Sequence, residues 1–223
     1  GLPGATAEQW QQQLDQALAL DPPHLSVYDL IVEPGTVFER WESSGQLQLP
    51  EEDLSADLME LTAVTLAAAG FGHYEISNYA QPGHASRHNR VYWSGAGWWG
   101  FGLGATAAPW GERQARPRTR EAYAAWLQRE WEKPPVPQPM PIDERVMVGL
   151  RRREGVQLAP LLVGLDQAEL ERRWQPYFQR GLLQREGSRW RLSDPEGLAL
   201  SNAVLREWLA WWSEQVEAPP PSP

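Results

Sequence analysis

The chain of 223 residues is 42% hydrophobic and 22% charged, with a net charge of -9 and no cysteine. Such a composition suits a globular protein with a sizeable core, one main domain plus a small one, and no apolar run approaches the ~20 residues a membrane helix needs. The missing cysteine excludes disulfides, thiolate zinc sites and cysteine-held iron–sulfur clusters on these residues, and the acidic balance argues against general nucleic-acid binding.

The opening GLPGATAEQW has no methionine and no leader pattern, and is expected to be the interior of a longer protein. Thr6 and Gln9 have the spacing of a capping box, ahead of a helix carrying Trp10, Leu14 and Leu18 to about Leu20. After two prolines, HLSVYDLIV (24–32) reads as a buried strand that stops at Glu33-Pro34-Gly35. A second helix follows Pro50, with Leu54, Leu58, Leu61 and Thr65/Leu66 on one face and Gly70 as its stop. HYEISNY (73–79) then alternates as a strand.

Helix, strand, helix, strand predicts α/β units and a parallel sheet or barrel. In WWGFGLGATA (98–107) the glycines imply a strand whose backbone approaches something closely, and TREAYAAWLQREWE (119–132) is a helix. The proline-rich stretch around 134–142 marks a boundary. Beyond it come helices from about Asp143 and from Asp166, two short strands around Gly187-Ser188, and a helix from Asp194-Pro195, an order like that of a winged helix. The predicted domains are thus 1–133, a linker at 134–142, a helical domain at 143–217 and a disordered tail at 218–223.

RHNRVYW (87–93), expected to form a loop of the first domain, is the first candidate for chemistry. The His88 imidazole could ligate a metal, Asn89 could order the adjoining loop, and Tyr92, Trp93, Trp98 and Trp99 could wall a flat apolar ligand such as a porphyrin. Equally, His88 could be an ordinary loop or core histidine with the aromatics packing the domain. His84 and His88 stand four apart, but Pro82 and Gly83 and the lack of further donors disfavour zinc. GFGLGA (100–105) lacks the glycine spacing of a dinucleotide fingerprint. Arg113, Arg116, Arg118 and Arg120 could fork onto carboxylates or form surface ion pairs. Glu75 could orient a ligand or cap a turn. Residues 143–193 hold ten arginines against seven acids, a slight excess for phosphate binding, and no nucleic-acid partner is expected.

GLPGAT, HLSVYDL, EPGT, HYEISNYAQPGH, RHNRVYW, GFGLGA and GLRRREGV occur in the order and approximate spacing of the HemW-type heme chaperones, radical-SAM proteins similar to oxygen-independent coproporphyrinogen III oxidases. The resemblance covers nearly all of residues 1–215. It implies part of a radical-SAM barrel followed by a small winged-helix-like α+β domain, and a cytoplasmic protein that binds heme and passes it to heme-requiring client proteins, touching membranes only through them and capable of forming a homodimer.

Within the family's HNxxYW motif, the resemblance makes His88 the axial ligand to heme iron, with Asn89, Tyr92 and Trp93 as its surroundings. S-adenosylmethionine would be touched near Ile31 and Ala108, by apolar contact or main-chain groups. The family's CxxxCxxC stretch, which binds a [4Fe-4S] cluster, has no counterpart here and is expected upstream of Gly1. Where many relatives read GPGAHS this chain reads GATAAP, with alanine at 108 in place of histidine. The alternative the resemblance leaves open is a coproporphyrinogen III oxidase-like enzyme, whose cleavage of S-adenosylmethionine would need the upstream cysteines.

Overall fold

A computed structural model describes residues 1–132 and 138–217. Helix α1 (Ala7–Ala19) begins with the expected capping box, Thr6 and Gln9 each accepting the other's backbone N–H. It packs on α3 (Glu52–Ala68), and Leu14, Leu66, Phe71 and Tyr79 form the buried centre between them and the sheet. The buried face of α3 also carries a polar residue outside the predicted set, Thr62, which is 2% exposed. Its hydroxyl donates to the Leu58 carbonyl at 2.7 Å and accepts the Trp10 indole N–H at 2.8 Å, so burial leaves no polar atom idle. The short α2 (Val37–Ser43) lies between, capped by Thr36.

The first sheet departs from the expected parallel arrangement. Strands β1 (His24–Ser26), β2 (Gly72–Glu75) and β3 (Asn78–Ala80) lie in the order β1-β3-β2, both pairings antiparallel. HYEISNY, expected as one strand, folds back at Ile76-Ser77, where the Glu75 carboxylate accepts the Ser77 N–H at 3.4 Å. That turn also limits HLSVYDLIV. Val27 still donates to the Ser77 carbonyl at 2.8 Å, but β3 offers no partner beyond it, and Tyr28 and Ile31 are 70% and 68% exposed instead of buried.

Helix α4 (Arg87–Ser94) follows, capped by the Ser86 side chain on the Asn89 N–H and closed by Gly95 in the left-handed conformation. The segment expected as a glycine-rich strand is a tight fold in which Trp98 bridges Ala108, and β4 (Thr106–Ala107) pairs with β5 (Gln114–Ala115). The close approach inferred from its glycines is to its own chain: a Cβ on Gly100 would run into the Thr106 carbonyl. Helix α5 (Arg120–Glu132) ends the first unit.

The second unit runs α6 (Ile142–Leu150), β6 (Val156–Gln157), α7 (Gln167–Gln179), β7 (Leu183–Glu186), β8 (Arg189–Leu192), α8 (Glu196–Ala199) and α9 (Ser201–Glu217). Asp166 caps α7 through the Ala168 N–H, and Gly187-Ser188 turn β7 into β8, both as predicted. The sheet order is β6-β8-β7, antiparallel throughout. Three fully buried tryptophans, Trp174, Trp208 and Trp211, fill the space between α7, α9 and the sheet. Gly155 has φ +67°, and a Cβ there would meet the Trp190 carbonyl. Gly155→Ala is therefore expected to destabilise the chain by about 1–3 kcal/mol, read as a lower urea midpoint at unchanged slope.

The connector is partly built into the fold. Gln138 accepts the Glu112 N–H at 3.0 Å and Met140 is buried, while residues 133–137 and the tail 218–223 lie outside the described residues. After α6 the chain lays GLRRREGV along the edge of β2: Ile76 donates to the Arg151 carbonyl at 3.1 Å and Arg153 to the Tyr74 carbonyl at 3.3 Å. His73 completes the junction, 2.6 Å from the Asp194 carboxylate and stacked on Tyr79 with centroids 4.1 Å apart. Among the described residues no helix is long and apolar enough to cross a membrane.

Candidate functional site

RHNRVYW was expected as a loop; it forms α4, because Ser86 supplies an N-cap and Gly95 a left-handed stop. A helix distributes the motif around its axis. His88 and Tyr92, four apart, share one face: the Tyr92 hydroxyl is 2.9 Å from His88 Nε2, with the rings edge to face at 4.8 Å. Tyr92 meets Trp98 in the same manner at 4.7 Å. Of the aromatics that follow, Trp99 and Phe101 are 61% and 85% exposed, and Trp99 meets Trp110 edge to face at 5.9 Å. His88 itself is exposed, so an imidazole stands at the edge of an aromatic surface open to a planar ligand.

Trp93 does not join that face. Five residues from His88 it lies about 140° round the helix, beside Arg87 and Arg90 in a cavity that also meets Tyr74 and Arg152. Asn89 turns toward a hydroxyl that the sequence did not single out. Tyr74 Oη lies 2.8 Å from His24 Nε2 and accepts the Ser86 N–H at 3.3 Å, tying β1 and β2 to the start of α4. Burial raises the Tyr74 pKa, Glu75 adds to the rise, and the Ser86 amide, the Asn89 side chain and the Arg90 charge oppose it; burial lowers the pKa of His24. The signal for this network was the alternation of HYEISNY, which puts Tyr74 on the face opposite His73.

Glu75 is 1% exposed, and loss of solvent drives its carboxyl up to about 7, against the opposing Ser77 N–H and His73. It accepts from the Asn78 amide, whose oxygen takes the Ser26 hydroxyl at 2.5 Å. All its partners belong to the β2–β3 turn, so of the two roles open to it in the sequence it takes the turn cap.

Ile31 lines a groove that Ala108 does not. The groove, of about 700 Å3, is also lined by Leu2, Trp10, Tyr28 and Met59. Ala108 is fully buried, its N–H donating to the Trp98 carbonyl at 2.9 Å and its carbonyl accepting the Trp98 N–H at 3.2 Å, so its main chain has no group to spare there. Of the four arginines after the glycine-rich fold, Arg113 pairs with Glu144 and Arg116 lies 4.1 Å over the Trp126 ring, which leaves Arg118 and Arg120 outside these contacts.

Over 95% of its length this fold matches the coproporphyrinogen III oxidase (HemN) of Escherichia coli, a radical SAM enzyme, with a TM-score of 0.63 at 16% identity and 53% of that chain covered. The architecture is accordingly the mixed helix and sheet found in that radical-SAM protein. Residues 137–199 match the HemN C-terminal domain. Among curated proteins, the heme chaperone HemW of Synechocystis is 39% identical over 92% of this chain and 56% of its own, and that of Bacillus subtilis is 36% identical over 70% and 42%. Escherichia coli HemW is 42% identical over 105 residues, 47% of this chain and 27% of its own. The chain belongs to the HemW-type family, corresponding to a C-terminal portion, and spans about half the length of the curated relatives that it matches most fully.

Proposed function

We propose that this chain contributes to a heme chaperone, binding heme at the His88 face of α4 and releasing it to heme-requiring client proteins. The observation that carries the reading is an exposed imidazole in line with two aromatic edges, His88–Tyr92–Trp98, within the RHNRVYW segment. An imidazole nitrogen donates to iron while the aromatic surface takes the apolar ring of the ligand. Because Tyr92 holds Nε2, ligation through that atom requires the Tyr92 hydroxyl to turn away; this keeps the imidazole oriented before heme arrives and gives a release path afterward. Trp93 supports the helix from its other side and Asn89 anchors it toward Tyr74.

In this reading the first unit forms part of a radical-SAM barrel, the second is a winged-helix-like domain, and the protein is cytoplasmic and able to dimerise. S-adenosylmethionine would meet Ile31 in the open groove, with Ala108 acting only through the shape of its strand. With no cysteine, the chain supplies no thiolate to an iron–sulfur cluster, and the proposed heme binding draws on none.

A hemin titration followed at the Soret band tests the assignment. The wild-type chain is expected to give an imidazole-ligated spectrum, and His88→Ala to lose that spectrum or weaken hemin at least about tenfold. Identical titrations would remove His88 as the ligand, and no hemin binding by either would favour a porphyrinogen-oxidising role.

A further inference from the structure

On the side of α4 turned away from His88, a cavity of about 390 Å3 lies between the helix, β2 and the turn after α6. Neither His88 nor Tyr92 lines it, so it is separate from the proposed heme face. Arg87, Arg90 and Arg152 supply three guanidinium groups against the two carboxylates of Glu75 and Glu154, a concentration of positive charge in a chain of net charge -9. The carboxylates are already engaged. Glu75 is taken by Asn78 and the turn, and Glu154 lies 2.9 Å from Arg90 in a pair exposed at both ends, which a competing anion can exchange at little cost.

Arg152 is the group left over. One of its terminal nitrogens donates to the Gly155 carbonyl at 3.3 Å, but Nε is buried and has no acceptor among the described residues. Its charged neighbours include Arg90 and Arg189, with Glu154 alone opposing them. A buried guanidinium N–H without an acceptor is destabilising, and the same side chain lines the cavity.

We propose that this cavity binds a monocarboxylate with a flat apolar body, the carboxylate bridging Arg152 and Arg90 and the body lying against Trp93 and Val91. A guanidinium fork matches the two coplanar oxygens of a carboxylate. The apolar surfaces of Trp93 and Val91 beside the arginines suit an organic acid and give an inorganic phosphate nothing to lie against. The volume admits a single aromatic acid or, from outside, one propionate of a porphyrin; the recognised chemistry is the same.

Titrating the full chain with benzoate, by calorimetry and tryptophan fluorescence, tests the site, with benzamide as the neutral isostere. Benzoate is expected to bind and benzamide not. Arg90→Gln should weaken benzoate roughly tenfold, the effect of removing one charge-assisted hydrogen bond. Because the Arg90 side chain is 56% exposed, that variant should keep the wild-type melting temperature. His88→Ala should leave benzoate binding unchanged, which separates this site from the heme assignment. Absence of benzoate binding, equal binding of benzamide, equal displacement by phosphate, or wild-type affinity in Arg90→Gln overturns the proposal. Displacement of benzoate by hemin but not by its dimethyl ester assigns the carboxylate to a porphyrin propionate, and displacement by neither assigns it to a free acid. Displacement by both overturns the site as a carboxylate reader.

Discussion

Trp174→Ala is expected to destabilise the chain by about 3–5 kcal/mol, among the largest effects available to a single substitution. The indole is fully buried in α7, donates its N–H to the Val204 carbonyl at 3.2 Å and packs on Trp190 with centroids 5.4 Å apart. Truncation removes transfer free energy, leaves a cavity and strips a hydrogen bond from the contact between α7 and α9. Guanidinium unfolding should show a lower midpoint at unchanged slope, and thermal melting a fall of about 10 °C or more. Trp99→Ala is the control. At 61% exposure Trp99 should change stability by no more than about 0.5 kcal/mol. Equal effects from the two substitutions would contradict the packing of the second unit.

Glu75→Gln is expected to stabilise the protein at pH 8 and to change little at pH 4. The carboxyl rises from an ordinary 4.5 to about 7 because burial disfavours its charged form, so the folded chain holds the proton more tightly than the unfolded chain does. Its contribution is complete below 4.5 and is lost as pH climbs through about 7, a change on the order of 3 kcal/mol. Glutamine keeps an oxygen for the Asn78 amide but cannot ionise. Urea unfolding of both proteins across pH 4 to 8 measures the difference between them, which cancels the other titrating groups. The gap should widen with pH in favour of glutamine. A constant gap would mean that Glu75 is ionised in the fold throughout, held by His73 and the Ser77 amide.

Both predictions rest on packing, whereas the candidate site rests on local order that was largely legible. Ser86 ahead of RHNRVYW and Gly95 behind it are helix boundaries in their own right. Once the segment is a helix, the pairing of His88 with Tyr92 follows from their spacing of four, and so does the turning away of Trp93. The loop reading failed because a segment of eight residues carries too few apolar positions to display a helical period.

Local chemistry alone determined the capping box of α1, the start of α7 at Asp166, the Gly187-Ser188 hairpin, the approximate spans of α3 and α5, and the start of α6. Each depends on residues within a few positions of one another, where steric limits and short-range hydrogen bonds decide. The tertiary structure alone decided that the first sheet is antiparallel, that HLSVYDLIV loses its partner beyond Val27, that Ile31 lines a groove without Ala108, and that Arg152 faces α4 across a cavity. These outcomes depend on which distant strand or turn is within reach. A β pairing is a contact between segments far apart in the chain, and its direction and length are set by the partner's turns, here the two residues Ile76 and Ser77, which no pattern inside the strand itself records.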